Sequence, residues 1–265
     1  MNKINLRGIV FNITSRCTLK CELCVMRVPH YKVHYRYHTI EVSINRIMNS
    51  IDYVSKVDLS GGEPFLHNEF DMIIECIMQY KSKFDKILIF TNGTLMPNKI
   101  IERILEKYRD SITIRLSNYG KISNNAENLI NRCKELGIEC IESKYYGNEQ
   151  YYGGWVNYGD YKTCYNRSVP SLINMYENCM STKMNGCYTI HNGKMHWCVP
   201  CAIMTREHII EGNKNDYIDL FDNSLSIVDI RNKIVDMQNK KYIKACDNCN
   251  NVVNAQRYKA GIQLT

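Results

Sequence analysis

Short apolar runs alternate with longer stretches whose apolar residues recur every three or four positions. The first kind reads as buried strand and the second as amphipathic helix. Residues 8–13 (Gly-Ile-Val-Phe-Asn-Ile) predict a strand. Residues 40–53, with Ile40, Ile44, Ile47 and Ile51 on one face, predict a helix. Residues 56–60 and 86–90 are further strands, separated by a helix over 69–80 that carries Phe70, Ile73, Ile74 and Ile77. Asn98 is placed to cap a helix reaching Tyr108. A strand over 111–116, a helix over 126–136 closed by Gly137, and a strand over 138–141 complete the series. Strand and helix thus repeat about five times with connections suited to parallel pairing, and right-handed crossovers curl such a sheet into a doubly wound layer or a barrel.

Polar and glycine residues recur where these strands end: Gly61-Gly62, Asn92-Gly93 and Ser117-Asn118. In parallel α/β folds that edge carries the site. Three cysteines follow the first strand on the same edge, Cys17, Cys21 and Cys24, spaced C-x3-C-x2-C. Four thiolates saturate a zinc ion or an iron–sulfur cluster, so three leave one corner open for a substrate or cosubstrate. Zinc would need a fourth ligand, for which His30, His34 and His38 are near in sequence. One strand later stands Gly61-Gly62-Glu63-Pro64. Its two glycines allow a ligand to lie against bare backbone, and Glu63 offers a carboxylate suited to an amine.

The pattern breaks over 144–168, which holds Tyr145, Tyr146, Tyr151, Tyr152, Tyr158, Tyr161, Tyr165 and Trp155, with glycines at 147, 153, 154 and 159. Two readings fit: a packed surface loop, or a wall of the substrate pocket. Beyond it, residues 187–198 form a hairpin around Asn192-Gly193, and 226–239 a helix. Cys246 and Cys249 make a metal-type pair whose partners come from Cys179, Cys187, Cys198 and Cys201. Cys76, Cys133, Cys140 and Cys164 lack such spacing; Cys76 and Cys133 sit in predicted helices and read as buried free thiols, Cys164 lies in the tyrosine-rich segment, and His67, His191, His196 and His208 are isolated.

The chain has 265 residues and 13 cysteines. No apolar run approaches a membrane span, and Met1–Gly8 is too short and polar for a signal peptide, so the cytoplasm is the expected compartment and metal ligation a better account of the cysteines than disulfides. The formal charge of +7 is spread along the chain with no run of five basic residues. It reads as a solvated surface with a mild pull on anions, and nucleic acid is not an expected partner.

Cys17, Cys21 and Cys24 after the first strand, Gly61-Gly62-Glu63-Pro64 after the second, Thr91-Asn92-Gly93-Thr94 after the third and Ser117-Asn118 after the fourth together resemble the radical S-adenosylmethionine superfamily over about 5–145. The resemblance implies a partial (β/α)5-6 barrel with a [4Fe–4S] cluster on Cys17, Cys21 and Cys24. The open iron would chelate S-adenosylmethionine. Gly61, Gly62 and Glu63 match the strand that bonds its amine, and Asn92 and Ser117 match contacts to ribose or carboxylate. Leu23 departs from the aromatic that members often place beside the adenine. Reductive cleavage would give a 5′-deoxyadenosyl radical that takes a substrate hydrogen, with an electron donor such as flavodoxin or ferredoxin as partner.

The tail resembles the Twitch fold, a shortened SPASM domain. That implies an α/β chain divided into a barrel with its Tyr-rich loop (1–168) and a small C-terminal β-hairpin/helix Fe–S domain (169–265). An auxiliary [4Fe–4S] cluster would sit on Cys179, Cys198, Cys246 and Cys249, with Cys187 as alternative to Cys179. With no cysteine after Cys249, a single auxiliary cluster is expected. In plan the chain is nearest to the 2-deoxy-scyllo-inosamine dehydrogenases. The function implied is hydrogen abstraction from a sugar, aminocyclitol or nucleotide-sugar, ending in dehydrogenation or epimerisation, with the catalytic base unassigned. A peptide or protein substrate is the alternative, disfavoured by the short stretch before the first strand. A zinc-bound binding module is a more distant one.

Overall fold

The computed structural model describes residues 3–151, 155–179, 187–210, 216–250 and 256–265. Tyr152, Gly153 and Gly154 of the tyrosine-rich segment lie outside them. Four β-α units and a fifth strand come first: β1 (Asn5–Thr14), α1 (Tyr37–Ser50), β2 (Tyr53–Gly61), α2 (Phe70–Met78), β3 (Phe84–Thr91), α3 (Lys99–Lys107), β4 (Ile112–Asn118), α4 (Ala126–Leu136) and β5 (Glu139–Lys144). Then follow α5 (Val169–Glu177), β6 (Cys187–His191), β7 (Lys194–His196), α6 (Val199–Arg206), β8 (Tyr217–Asp219) and α7 (Ile227–Gln238).

The predicted helix ends have their physical causes in place. Asn98 accepts hydrogen bonds from the Ile100 and Ile101 N–H groups, both at 2.9 Å. Gly137 closes α4 in the left-handed conformation at φ 68°. Ser226 and Asp229 form a reciprocal capping box on α7. Asn192 and Gly193, both at positive φ, make the tight β6–β7 turn.

The strands form one sheet in the order β5-β4-β3-β2-β1-β6-β7-β8. β1 to β6 are parallel to their neighbours, and β6, β7 and β8 run antiparallel. This is the expected partial barrel, with six parallel strands. The sixth comes from the hairpin: Gly8 pairs with Cys187 and Phe11 with Ile190. The two expected regions therefore share one sheet. Alternation sets the core. Ile9, Phe11, Ile13, Val57, Leu59, Ile87, Ile89 and Ile114 are at most 2% exposed and join one cluster with Ile44 and Ile47 of α1 and Ile73 and Ile74 of α2. Burying each such side chain contributes about 1.5–3 kcal/mol, which fixes the strand register and hence which residues reach the carboxyl edge.

Candidate cofactor site at the carboxyl edge of the sheet

The β1–α1 connection carries Cys17, Cys21 and Cys24. Its backbone is fastened to the end of β2: the Gly62 N–H donates to the Thr14 carbonyl at 2.7 Å and the Glu63 N–H to the Arg16 carbonyl at 2.8 Å. The approach is so close that a Cβ on Gly61 would lie 2.1 Å from the Thr14 oxygen, and one on Gly62 would lie 2.0 Å from the Arg16 oxygen. The glycines are therefore required by the protein's own packing, where sequence alone suggested room for a ligand.

Glu63 also differs from expectation. Its side chain is fully buried and turned inward. It accepts from the Thr91 hydroxyl at 2.9 Å, the Asn92 N–H at 2.9 Å and the Phe65 N–H at 3.2 Å. Burial pushes its pKa up to about 7 against these three donors. The carboxylate joins β2 to β3 and is not offered to an amine in the cavity. Asn92 continues the chain of ties: its amide donates to Thr18 Oγ1 at 3.2 Å and lies 3.5 Å from Cys17 Sγ, while its oxygen accepts from the Thr94 N–H.

A cavity of about 320 Å³ opens above these residues. Cys17, Cys21 and Cys24 line it together with Ser60, Gly61, Gly62, Asn92 and Ser117, and Tyr119, Trp155, Val156 and Tyr158 close it. The structure thus brings together all the residues expected at the first site except the Glu63 carboxylate. Leu23 and Arg27 adopt positive φ, coiling the loop so that its thiols face inward. Burial pushes the Cys17 thiol up to about 11, the Cys21 thiol up to about 12, and the Cys24 thiol up as well, each also raised by a neighbouring charge or opposed by hydrogen bonds. Alone they stay neutral; a bound cation would deprotonate them.

His34 is turned to Thr14 and stacks on His67 at 4.3 Å, and His38 is exposed on α1. His30 lines a neighbouring cavity of about 400 Å³ with Cys21 and Cys24. Among the described residues, the single set of three or more Cys, His, Asp or Glu ligand atoms within 4.8 Å of one another is His34, His67 and Glu69. Both His67 ring nitrogens are engaged, with the Tyr35 carbonyl and the Glu69 N–H, so His67 could join such a set only by giving up one of these bonds. A tetrahedral zinc would draw its sulfurs to about 3.8 Å with bonds of about 2.3 Å. The sulfurs of the cysteine trio do not all lie within 4.8 Å of one another, a wider spacing than a bound zinc would impose.

A second group of thiols involves the C-terminal cysteines. Cys198 sits at the amino end of α6 and feels the charge of Cys201, Cys179 and Cys249. Cys246 feels Cys179 and Cys249. Burial pushes Cys246 up to about 12 and Cys198 well above its ordinary value. Cys187 stands apart at the start of β6, where its neighbours are Lys56, Asp58 and Arg7. Cys179 is thus among the groups that act on Cys198 and Cys246, and Cys187 is not. Cys201 is fully buried and points to His196 at 3.9 Å.

The tyrosine-rich segment serves both readings. Trp155, Val156 and Tyr158 wall the first cavity. Further on, the Asn250 N–H donates to the Tyr158 carbonyl, the Tyr165 N–H to the Asp247 carbonyl, and Arg167 to the carbonyls of Cys246 and Asp247. Sequence reasoning missed Tyr119, which follows Ser117-Asn118 directly and was legible there. It also missed Gln263, for which no local signal exists.

A family model described as the radical SAM superfamily matches residues 11–143. The chain belongs to the radical SAM superfamily. The subtilosin biosynthesis protein AlbA of Bacillus subtilis (strain 168) is 30% identical over 112 residues, 40% of this chain and 23% of that protein. A GTP 3′,8-cyclase of Campylobacter jejuni subsp. doylei is 32% identical over 96 residues, 36% of this chain and 29% of the cyclase. The chain thus spans less than a third of the length of these relatives. A crystal structure of BtrN in complex with AdoMet and 2-DOIA aligns over 100% of both chains with a TM-score of 0.55 at 15% identity, a likeness of fold. Among the described residues no helix is long and apolar enough to cross a membrane.

Proposed function

We propose that this radical SAM enzyme abstracts a hydrogen atom from a small polar molecule of the sugar, aminocyclitol or nucleotide-sugar class. Cys17, Cys21 and Cys24 would hold a [4Fe–4S] cluster, and the backbone of Gly61 and Gly62 with Asn92 and Ser117 would receive S-adenosylmethionine. Cys179, Cys198, Cys246 and Cys249, within the region 169–265, would hold an auxiliary [4Fe–4S] cluster. Bound there, the first cluster and S-adenosylmethionine supply reductive cleavage of the sulfonium to a hydrogen-abstracting radical, with flavodoxin or ferredoxin as the electron donor. The chain's own part is to orient and to exclude. The Thr14–Gly62 and Arg16–Glu63 hydrogen bonds hold the cysteine loop against β2. Tyr119, Trp155 and Tyr158 shield the cavity from water and present ring faces and phenol oxygens to a polar ring.

The observation that carries this reading is that three thiols and a bare Gly-Gly backbone line one cavity of about 320 Å³, closed by aromatic side chains. Aromatic walls beside a polar edge suit a polar ring. The fold likeness to BtrN, whose crystals hold AdoMet and 2-DOIA, also supports it. A peptide substrate is the second reading, favoured by the 30% identity to a bacteriocin biosynthesis protein.

The test is anaerobic reconstitution followed by iron and sulfide analysis, then 5′-deoxyadenosine assay after reduction. About eight irons per chain, falling by about half in Cys21→Ala or in Cys198→Ala but unchanged in Cys187→Ala, is the expected result. Zinc without iron, or no 5′-deoxyadenosine, would overturn it. Deuterium transfer into 5′-deoxyadenosine from labelled aminocyclitols or sugars, set against labelled peptides, separates the two substrate readings.

A further inference from the structure

From Gln256 the chain runs to the first cysteine loop and is fastened along the way. The Asn157 N–H donates to the Gln256 carbonyl, the Tyr258 N–H to the Trp155 carbonyl, and the Ala260 N–H to the Gln150 carbonyl. The segment then pairs with the loop itself, Cys21 facing Gln263 in an antiparallel bridge. The Glu22 N–H donates to the Ile262 carbonyl at 2.7 Å and the Leu264 N–H to the Lys20 carbonyl at 2.8 Å.

Within this bridge the Gln263 amide reaches a thiol. Its Nε2 donates toward Cys21 Sγ at 3.2 Å and to the Gly261 carbonyl at 2.8 Å, and its Oε1 accepts from the Lys20 N–H at 2.8 Å. The partners fix the amide's orientation. Reversed, it would set N–H against the Lys20 N–H and oxygen against the Gly261 carbonyl. The N–H must therefore face the sulfur. Gly261 allows the turn: it sits at φ +71°, and a Cβ there would lie 2.7 Å from the ring of Tyr119, which walls the cavity.

We propose that Gln263 is a positioning residue for Cys21: it orients this thiolate and, by donating a hydrogen bond to its sulfur, makes the group bound there easier to reduce. Hydrogen bonds to cluster sulfurs withdraw electron density and raise the reduction potential. The same segment is paired with the cavity wall at Trp155, Val156 and Asn157, and the adjoining Tyr158 carbonyl accepts from the N–H of Asn250, next to Cys249. The inference rests on the reading that Cys21 holds the first cluster.

The test uses reconstituted protein carrying Gln263→Glu, Gln263→Ala or Leu264→Pro. Gln263→Glu keeps an acceptor for the Lys20 N–H and removes the donor to sulfur. A redox titration followed by electron paramagnetic resonance reads the signal that changes on adding S-adenosylmethionine. We expect a more negative midpoint in Gln263→Glu and Gln263→Ala, so that the reduced fraction at fixed potential falls several-fold, with iron content unchanged. In the apoprotein, amide exchange at Lys20 and Glu22 should speed up several-fold in Leu264→Pro and stay slow in Gln263→Glu at Glu22. Wild-type midpoint and spectrum in both Gln263 variants would overturn the proposal. Failure of the function reading looks different: the wild-type protein would take up no iron that Cys21→Ala removes.

Discussion

The tightest contact in the site is Gly62 against Arg16, and it sets a sharp prediction for Gly62→Ala. Gly62 does not adopt the left-handed backbone, so the conformation itself is open to alanine. The obstacle is space: the new Cβ would lie 2.0 Å from the Arg16 carbonyl oxygen, 2.6 Å from its carbon and 3.0 Å from the Ser15 carbonyl carbon. All three are backbone atoms, so no side chain can swing aside. The cysteine loop must move away from β2, which breaks the hydrogen bonds Gly62 N–H to Thr14 and Glu63 N–H to Arg16. Overpacking costs about 1–3 kcal/mol. Two backbone hydrogen bonds add about 1 kcal/mol each. The loss of unfolded-chain freedom returns about 0.4–1 kcal/mol. The expected net loss is about 3 kcal/mol.

Gly147→Ala is the matched control, because there the conformation is the obstacle and space is free. Gly147 sits at φ +59° with nothing within 4 Å of a built Cβ. The left-handed penalty of about 1–2 kcal/mol, offset as before, leaves a net loss of about 1 kcal/mol or less. Urea denaturation of the two apoproteins measures the difference, and iron uptake on reconstitution should fall in Gly62→Ala alone. Equal destabilisation by the two substitutions, or a Gly62→Ala protein with wild-type stability and iron, would refute the close approach of Arg16.

Burial holds His191 down to about 4, with Arg206 adding to the effect, and holds His196 down to about 3. Both folded values lie below the unfolded imidazole value, so their contribution to stability is complete above about pH 6.5 and is lost as pH falls through the folded values. These two histidines therefore lower the melting temperature of the apoprotein at pH 5 relative to pH 7.5, while buried Glu63, raised to about 7, works in the opposite sense; His191→Gln with His196→Gln should raise the melting temperature at pH 5 relative to that at pH 7.5. Tyr188 is fully buried and its hydroxyl has no partner among the described residues, so Tyr188→Phe should leave the melting temperature unchanged or raise it; a clear fall would show that the hydroxyl is bonded. Asn98→Ala should cost about 1 kcal/mol in denaturation experiments, with Asn98→Ser recovering most of it.

How much of this was legible depends on how local each signal is. The first five strands, their four helices and the β6–β7 turn rest on contacts within a few residues, so periodicity and Asn98, Gly137 and Asn192-Gly193 placed them to within a few positions. The first site was legible for a second reason. Parallel strands joined by right-handed crossovers must end on one edge, so residues following β1, β2, β3 and β4 are brought together by topology. The hairpin β6–β7 was equally plain, but its parallel pairing with β1 links residues 8 and 187 and leaves no local trace. Gln263 and Cys21 are 242 positions apart in the same way.

What the motif residues do was harder to read than where they lie. Gly61, Gly62, Glu63 and Asn92 all suggested contact with a ligand. In the structure their most demanding contacts are with the protein: the two glycines admit the Thr14–Arg16 backbone, Glu63 ties β2 to β3, and Asn92 holds the loop at Cys17 and Thr18. The surface left for a ligand is the backbone of Ser60 to Gly62, the Asn92 edge and Ser117. These two demands are coupled. A loop that presents three thiols to one cavity must be held at both ends, and β2 is the only neighbouring strand whose end Thr14 and Arg16 bond directly among the described residues. A glycine-rich turn there follows from the geometry of the cysteine loop as much as from the chemistry of what binds, so substitutions in this turn should disturb the thiol arrangement before they disturb any contact with a bound molecule.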